Sequence, residues 1–312
     1  MTAHPRLSIN QATIKHASLR EAVDATVRQG VESIGLWREP VAEIGLAESA
    51  RILADSGLRF SSHCRGGFVT MTEGSERRAA IDDNRRAIEE AATLAAAGAD
   101  GSSASLIIVA GGIPDGSRDL ARARGRLEEA IAELAPEAQA AGVTLVLEPL
   151  HPMYASDRAV LSTLKQALDL ADRVGSPAVG MVIDSFHVWW DPDAEEQIAR
   201  AGQDGRIASY QVCDWATPLP ADVLLSRHLP GAGIIDFAQL TKWVNDAGYT
   251  GDVEVEVFNA ELWAKDFDEA VADTVKAFIE HVGTHLAVPA PAPGPTLDPA
   301  SDPASDPILV RG

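Results

Sequence analysis

Four oxygen-bearing side chains lie at the ends of four separate apolar segments. Glu148 follows VTLVL, Asp184 follows AVGMVI, Gln211 lies within SYQVCD, and Glu256 lies near the end of DVEVEV. Burying one carboxylate without a partner costs several kcal/mol, so three buried carboxylates in one place require a cation. If the four segments are neighbouring strands, these side chains predict a site for one divalent metal.

The ligand atoms of this predicted site bear on the identity of the metal. Carboxylate and amide oxygens are hard ligands, which suit Mn²⁺ or Mg²⁺ better than Zn²⁺. His187, three residues after Asp184, is the alternative to Gln211 and would move the preference toward zinc or cobalt. Glu254 shares a strand face with Glu256. Glu256 is nearer the strand end and is predicted as the ligand, which leaves Glu254 for an ion pair deeper in the fold.

Two histidines follow the predicted ligands at the same spacing. His151 comes three residues after Glu148. A neutral imidazole, whose usual pKa is about 6.5, can remove a proton next to a carbonyl group, so His151 is predicted as a catalytic base. The alternative is a histidine in a surface loop. His187 is predicted to hydrogen-bond substrate hydroxyls if it does not bind the metal.

Trp189 and Arg227 are further candidates for substrate binding. The indole face of Trp189 either stacks on a sugar or aromatic ring or packs against the protein. Arg227 lies in a long segment between two predicted strands, and long loops of this kind are usually functional. It is predicted to bind a sugar oxygen, and the alternative is an ion pair with Asp222 or Asp236.

The segments that carry these residues belong to a repeating pattern. Short β-rich runs alternate with helical periodicity to about residue 283, as is typical of parallel βα units. No G-x-G-x-x-G motif opens the first helix and no P-loop is present, which disfavours a doubly wound sheet. The pattern predicts an α/β fold, a (β/α)8 TIM barrel, whose active sites lie at the C-terminal strand ends. The predicted strands are residues 6–10, 33–37, 58–63, 105–110, 143–148, 178–184, 207–212 and 252–257.

The chain is predicted to divide into one domain and a tail. Residues 1–288 form the catalytic barrel domain. Residues 289–312 are rich in proline, which neither donates a backbone hydrogen bond nor continues a helix, so they predict an extended or disordered tail. The alternative is a segment that wraps onto a neighbouring subunit.

Composition narrows the class of partner. The 312 residues hold 26 Lys and Arg against 46 Asp and Glu, a net charge of −20 that argues against a nucleic-acid partner. Two cysteines, Cys64 and Cys213, cannot build a disulfide framework and are predicted as small buried side chains. The lack of a signal peptide and of a long apolar run predicts a cytoplasmic protein that does not enter the membrane.

The segments LEPLHP, VIDSFHVWW, YQVCDW and VEVEVF resemble the sugar isomerase and epimerase branch of the xylose-isomerase-like TIM barrels. The likeness covers residues 6–283. It implies one divalent cation held by a glutamate, an aspartate, a histidine and a glutamate on the last four strands, with the glutamates as acid and base. On this chain the positions are Glu148, Asp184, Gln211 and Glu256. Gln211 stands where related epimerases place histidine, a departure that bears on the identity of the metal more than on its existence.

The runs EPLHPMYASDR, DSFHVWWDP and QVCDWATPLPADVLLSRHLPGAGIIDF resemble the catalytic α subunits of bacterial C-glycoside deglycosidases. This resemblance implies a small β subunit as partner in a hetero-oligomer. It also implies cleavage of the carbon–carbon bond of a 3-oxo-C-glycoside, in which His151 removes a proton and an enolate expels the aromatic aglycone.

Three other functions stand beside this lyase. A metal-dependent ketose or aldose isomerase, or a 3-epimerase, shares the proton-removal step and uses Glu148 and Glu256 on opposite faces of the sugar. A sugar-binding scaffold subunit is the non-enzymatic alternative. The DNA-repair endonucleases of this fold are disfavoured by the net charge of −20.

Overall fold

Eight parallel strands close into a barrel, as the alternating pattern predicts. The computed structural model describes residues 2–71 and 74–287. The barrel strands are β1 (Leu7–Asn10), β2 (Ser33–Trp37), β3 (Arg59–Gly67), β4 (Ser105–Val109), β5 (Thr144–Glu148), β6 (Val179–Asp184), β7 (Ile207–Val212) and β10 (Val253–Val255), and a separate antiparallel pair consists of β8 (Asp214–Trp215) and β9 (Arg227–His228). The eight barrel strands follow one another around the barrel in the order β1-β10-β7-β6-β5-β4-β3-β2, which confirms the predicted TIM barrel.

Helices connect the strands. Ser18 begins the first of them with a capping box to Glu21, and Gly57 ends the third in a left-handed conformation with φ 71°. The α-helices are α1 (Leu19–Arg28), α2 (Arg38–Ile44), α3 (Leu46–Ser56), α4 (Gly74–Ala97), α5 (Leu120–Ala140), α6 (Leu164–Val174), α7 (Ser185–Val188), α8 (Ala194–Gln203), α9 (Phe237–Asp246), α10 (Ala260–Trp263) and α11 (Phe267–His281). Short 3-10 helices cover Gln11–Ile14, Pro152–Tyr154 and Gly283–His285.

Strand alternation sets which side chains face the barrel interior. On β5, Leu145 and Leu147 join the large hydrophobic core, whereas Val146 packs in a separate small cluster with Cys64, Ile107 and Val182. Successive residues of a strand point to opposite faces, so Glu148 shares the interior face of Val146. The strand therefore delivers a carboxylate to the interior at its C-terminal end.

The register of three neighbouring strands brings the predicted ligands level with one another. Asp184 on β6 lies opposite Gln211 on β7, and Gln211 lies opposite Glu254 on β10. Glu256 was predicted inside the last strand but follows its end at Val255, and its backbone N–H still donates to Val212 at 3.3 Å. The predicted ligands thus meet at one end of the barrel.

Other predictions concern the ends and the thiols of the chain. Cys64 and Cys213 are free and buried, as predicted. The predicted tail, residues 289–312, lies outside the described residues. Within the described ranges, no helix is both long and apolar enough to span a membrane.

Candidate metal centre

Glu148, Asp184 and His187 form a buried cluster at the C-terminal ends of β5 and β6. One ligand atom from each lies within 4.8 Å of the other two. His187 Nε2 is 3.9 Å from Glu148 Oε1 and 3.8 Å from Asp184 Oδ2. Asp184 also begins α7, because its Oδ1 accepts the backbone N–H of Phe186 at 2.8 Å. That bond turns the aspartate so that Oδ2 is left for the cluster.

Arg227 places a positive charge beside these carboxylates. Its Nη1 donates to Glu256 Oε2 at 2.8 Å and lies 3.6 Å from Asp184 Oδ2. Its Nη2 is 3.1 Å from His187 Nε2. The alternative of an ion pair with Asp222 or Asp236 is wrong, because the side chain turns into the barrel. Part of the buried negative charge is therefore balanced by the protein itself.

Gln211 is held by Glu254 rather than by the cluster. Its Nε2 donates to Glu254 Oε1 at 2.9 Å, and its Oε1 is buried without a hydrogen-bond partner. Glu254 also accepts from Asn10 Nδ2 at 2.7 Å and from the hydroxyls of Ser61 and Ser62 at 2.5 and 2.9 Å. The ion pair predicted for Glu254 is wrong, since these donors are all neutral.

Among the predicted metal ligands, two buried oxygens are left without hydrogen bonds from the described residues, and they test whether a cation fits. They are Asp184 Oδ2 and Gln211 Oε1, on side chains that lie opposite each other on β6 and β7. A buried acceptor that has lost water and found no donor is costly. The residues present therefore fit a divalent cation at this end of the barrel.

The protonation of the cluster follows from burial and from neighbouring charges. Burial raises the pKa of Glu148, and the charges of Glu256 and Asp184 raise it further. Burial likewise raises the pKa of Glu256 to about 7, against the opposing effect of Arg227. Burial and Arg227 together lower the pKa of His187, so its imidazole is neutral.

Both ring nitrogens of His187 meet a hydrogen-bond donor of the protein. The backbone N–H of His151 points at Nδ1 at 3.1 Å, and an N–H of Arg227 Nη2 points at Nε2 at 3.1 Å. A neutral imidazole accepts at one nitrogen only, so the two contacts favour opposite tautomers. In the tautomer that accepts from His151, Nε2 carries the proton and is a donor rather than a metal ligand.

A cavity of about 230 Å³ opens beside the cluster. Four of the eight predicted site residues line it, namely Glu148, His187, Arg227 and Glu256, while Asp184 and Gln211 are buried next to them. Four aromatic side chains and three further cations also line this cavity: Trp37, Phe68, Tyr154, Phe258, Lys15, Arg65 and Arg158. The sequence did not predict most of these residues, because its strongest signal is the polar side chains on the last four strands, whereas Trp37 ends β2 and Phe258 follows β10.

His151 and Trp189 are not among the described residues that line the cavity. The His151 ring packs against Trp215 with centroids 5.0 Å apart, and burial lowers its pKa. Its Nδ1 accepts the backbone N–H of Met153 at 3.3 Å. Trp189 also packs on Trp215, at 5.3 Å, and is 36% exposed. The catalytic role of His151 and the substrate contact of Trp189 stay predictions.

An eight-stranded parallel barrel with acidic side chains at the C-terminal ends of its strands is typical of one class of TIM barrels. The model of the xylose isomerase-like TIM barrel family matches residues 23–281, and the chain belongs to this family. The inosose isomerase of Halalkalibacterium halodurans, an enzyme, is 26% identical over 161 residues. That match covers 51% of this chain, and the chain spans 55% of the length of that relative.

Solved structures extend the likeness to nearly the whole barrel. Protein SMc04130 from Sinorhizobium meliloti 1021 is 45% identical, with a TM-score of 0.84 over 89% of this chain and 98% of its own. The IOLI protein, whose structure holds a zinc atom, has a TM-score of 0.77 over 91% of this chain and 100% of its own. At 20% identity this second likeness concerns the fold alone.

Proposed function

We propose that the protein is a divalent-metal-dependent isomerase or epimerase of sugars or related cyclic polyols that carry a ketone. The observation that carries the proposal is the pair of buried carboxylates, Glu148 and Glu256, which line one cavity beside the unpartnered oxygens of Asp184 and Gln211. Two carboxylates around one substrate provide a base and an acid for proton transfer at carbon. The isomerase name of the curated relatives agrees with this chemistry.

Glu148, Asp184, Gln211 and Glu256 would hold the metal. Their oxygen-only ligand set favours Mn²⁺ or Mg²⁺ over Zn²⁺. When bound, such a cation supplies positive charge that stabilises negative charge developing on the substrate oxygens.

The side chains of the protein perform the proton transfers. Glu256 removes a proton from the carbon next to the carbonyl group, and the electrons of that C–H bond form the carbon–carbon double bond of an enediolate. Arg227 Nη1 holds Glu256 Oε2 at 2.8 Å, which orients this carboxylate in the cavity. Glu148 supplies a proton to the adjacent oxygen or to the opposite face of the carbon.

His187 and Arg227 bind a substrate oxygen between them. Arg227 Nη2 donates to His187 Nε2 at 3.1 Å, which requires the His187 proton on Nδ1. In the other tautomer, in which Nδ1 accepts from the His151 backbone, Nε2 also carries a proton. Both groups then donate to a hydroxyl or carbonyl oxygen of the substrate.

Proton exchange in heavy water tests the proposal. The protein with Mn²⁺ should replace the carbon-bound hydrogen next to the carbonyl of D-fructose or 2-keto-myo-inositol by deuterium, measured by proton NMR. Glu256→Gln and Glu148→Gln should each slow exchange at least about a hundredfold, because each removes a proton-transfer group. Glu280→Gln, at an exposed position, is the control. A rate unchanged by the two site variants would refute the proposal.

A lyase that cleaves 3-oxo-C-glycosides is the second candidate function. It shares the proton-removal step, and the aromatic lining from Trp37, Phe68, Tyr154 and Phe258 suits an aromatic aglycone. In this reaction His151 is the predicted base, and a small β subunit is the predicted partner. Release of free aglycone from a 3-oxo-C-glucoside, slowed by His151→Gln, would favour the lyase over the isomerase.

A further inference from the structure

Three cations besides Arg227 line the cavity beside the carboxylate cluster. Lys15, Arg65 and Arg158 line it, and none of them makes an ion pair with a described Asp or Glu. Arginines elsewhere in the chain commonly form such ion pairs, as Arg38 does with Asp83 at a distance of 2.7 Å. In a chain with 46 acidic and 26 basic residues, three unpaired cations around one cavity require an explanation.

Aromatic rings hold these cations in place without neutralising them. Lys15 Nζ lies 5.2 Å from the Trp263 ring, and the Arg65 guanidinium lies 4.4 Å from the Phe68 ring. Arg158 lies 5.8 Å from the Tyr154 ring. A cation over a ring face is oriented by it and keeps its full charge. The three charges are therefore positioned and available to a ligand.

A second cavity of about 320 Å³ shares Lys15, Trp37, Arg65 and Phe258 with the first. Gln11 lines this second cavity, and its Nε2 is buried without a hydrogen-bond partner. The Gln11 amide is oriented because its Oε1 accepts the backbone N–H of Trp37 at 3.3 Å. The wall that the two cavities share thus carries two cations, Lys15 and Arg65. The second cavity is also lined by an unused donor, the Gln11 amide N–H.

Acidic residues limit where a negative ligand group can lie. Glu39 and Glu43 line the second cavity, and a negative charge deep inside it would be repelled. Arg158 lines the first cavity, while Lys15 and Arg65 line both. The favourable position is the junction of the two cavities.

We propose that the substrate carries a carboxylate or phosphate group, which Lys15 and Arg65 bind at this junction with Arg158 on the side of the first cavity, while the carbonyl end lies beside Glu148 and Glu256. The proposal rests on the proposed function for the carbonyl end only. The net charge of −20 repels anions from the molecule as a whole, so a local group of cations is what an anionic substrate needs in order to enter.

Binding measurements test the anionic group without requiring turnover. Calorimetric titration of the Mn²⁺-loaded protein should give a dissociation constant for D-gluconate or D-glucose 6-phosphate about tenfold or more below that for neutral sorbitol, since charge-assisted hydrogen bonds are the stronger kind. Preference for gluconate alone identifies a carboxylate, and preference for the phosphate alone identifies a phosphate. Equal affinity for all three compounds would overturn the proposal.

Variants separate anion binding from a purely electrostatic effect of Arg65 on the cluster, because the charge of Arg65 partly opposes the burial that raises the pKa of Glu148. Arg65→Gln should weaken binding of the anionic compound more than binding of sorbitol and so remove the preference, and Arg65→Lys should restore part of it. Arg78→Gln, at an exposed arginine of α4, is the matched control. An Arg65→Gln variant that weakens all three compounds equally would mean that Arg65 serves only the cluster.

The proton-exchange assay then links this binding to the proposed reaction. D-Fructose 6-phosphate and D-fructuronate should exchange with a lower KM than D-fructose, and Arg65→Gln should raise the KM of the charged substrates more than that of D-fructose. If no substrate exchanges while the anion preference persists, the proposed function fails and the anion site stands. If exchange occurs with the same KM for all three, the anion site fails and the function stands.

Discussion

Gln211 presents an oxygen to the carboxylate cluster because Glu254 leaves its amide no other favourable orientation. Asn10 Oδ1 accepts N–H groups from Ala12 and Trp37, at 2.9 and 2.7 Å, so Asn10 Nδ2 must face Glu254. Glu254 is therefore an acceptor, and Gln211 has to turn its own N–H groups toward it. The orientation of Gln211 Oε1, away from Glu254 and toward the carboxylate cluster, is a consequence of these hydrogen bonds.

Gln211→His should shift metal preference from Mn²⁺ and Mg²⁺ toward Zn²⁺ and Co²⁺. An imidazole nitrogen replaces a hard oxygen, and zinc binds imidazole readily. The rise in the unfolding midpoint on adding each metal measures the preference. Gln203→His, at an exposed site, controls for an added histidine elsewhere. An unchanged ranking of the metals would exclude Gln211 as a ligand.

At the scale of elements, the hairpin of β8 and β9 positions Arg227. Trp215 on β8 pairs with Arg227 on β9. The Asp214 carboxylate fixes the following loop by accepting the backbone N–H groups of Gly231, Gly233 and Ile235 at 2.9, 2.8 and 3.0 Å. The position of Arg227 beside the carboxylate cluster thus depends on an aspartate that is not among the residues lining the cavity.

Asp214→Asn should loosen the segment that carries Arg227. The amide offers one acceptor oxygen in place of two and brings N–H groups against backbone donors, so residues 227–235 should exchange amide hydrogens about tenfold faster. Hydrogen-exchange mass spectrometry measures this, and kcat/KM should fall in parallel. Asp24→Asn, at an exposed site, should change neither quantity. Unaltered exchange in 227–235 would show that Asp214 does not hold the loop.

A second ionic network ties α2 to α4 and β3. Arg38 Nε donates to Glu90 at 2.7 Å, and His63 Nε2 lies 3.0 Å from the same carboxylate. Burial opposes ionisation of Glu90, but its hydrogen bonds with His63 and Arg38 outweigh burial and lower its pKa. The hydrogen bond from Arg38 lowers the pKa of Asp83.

These lowered pKa values make the network sensitive to acid. Glu90 binds its proton less tightly in the folded than in the unfolded chain, so it favours folding above its usual pKa of about 4.3. That contribution is lost as the pH falls through the lower pKa of the folded state. Glu90→Gln should therefore reduce the denaturation midpoint at pH 7, with a difference that narrows below about pH 4.

Glu89→Gln, one residue away and exposed, is the matched control for this network. Its denaturation midpoint should follow that of the unchanged protein at every pH. A Glu90→Gln variant whose loss of stability is the same at pH 7 and pH 4 would mean that its effect is not ionic.

The elements were largely predictable, and the positions of loop side chains were not. Alternation of apolar residues located all eight barrel strands and the ends that carry Glu148 and Asp184, because period and strand length are local properties of the chain. The packing of His151 and Trp189 on Trp215 joins segments distant in sequence. No periodicity encodes such a contact, and the same holds for Arg227 turning toward Glu256.

For the whole molecule, charge is distributed unevenly. The chain carries a net charge of −20, yet Lys15, Arg65, Arg158 and Arg227 all line one cavity. The net charge that argues against a nucleic-acid partner is therefore an average over the chain and does not describe this cavity. A net charge is a statement about solubility and long-range attraction, and the local arrangement of charges decides what binds.

Closure of the barrel predicts that residues 289–312 are dispensable for folding. β1 pairs with β10, and the chain beyond α11 is fastened where Asn245 Nδ2 donates to the carbonyl of His285 at 2.7 Å. Every barrel strand thus has both neighbours before residue 288. A chain that ends at Val288 should keep the thermal unfolding midpoint of the full chain within about 2 °C, as measured by calorimetry, because all eight barrel strands are paired before that residue. Light scattering on both chains tests the alternative that the tail wraps onto a neighbouring subunit. A smaller assembly for the shortened chain would support wrapping, whereas a lowered midpoint at unchanged assembly size would mean that the barrel domain extends past residue 288.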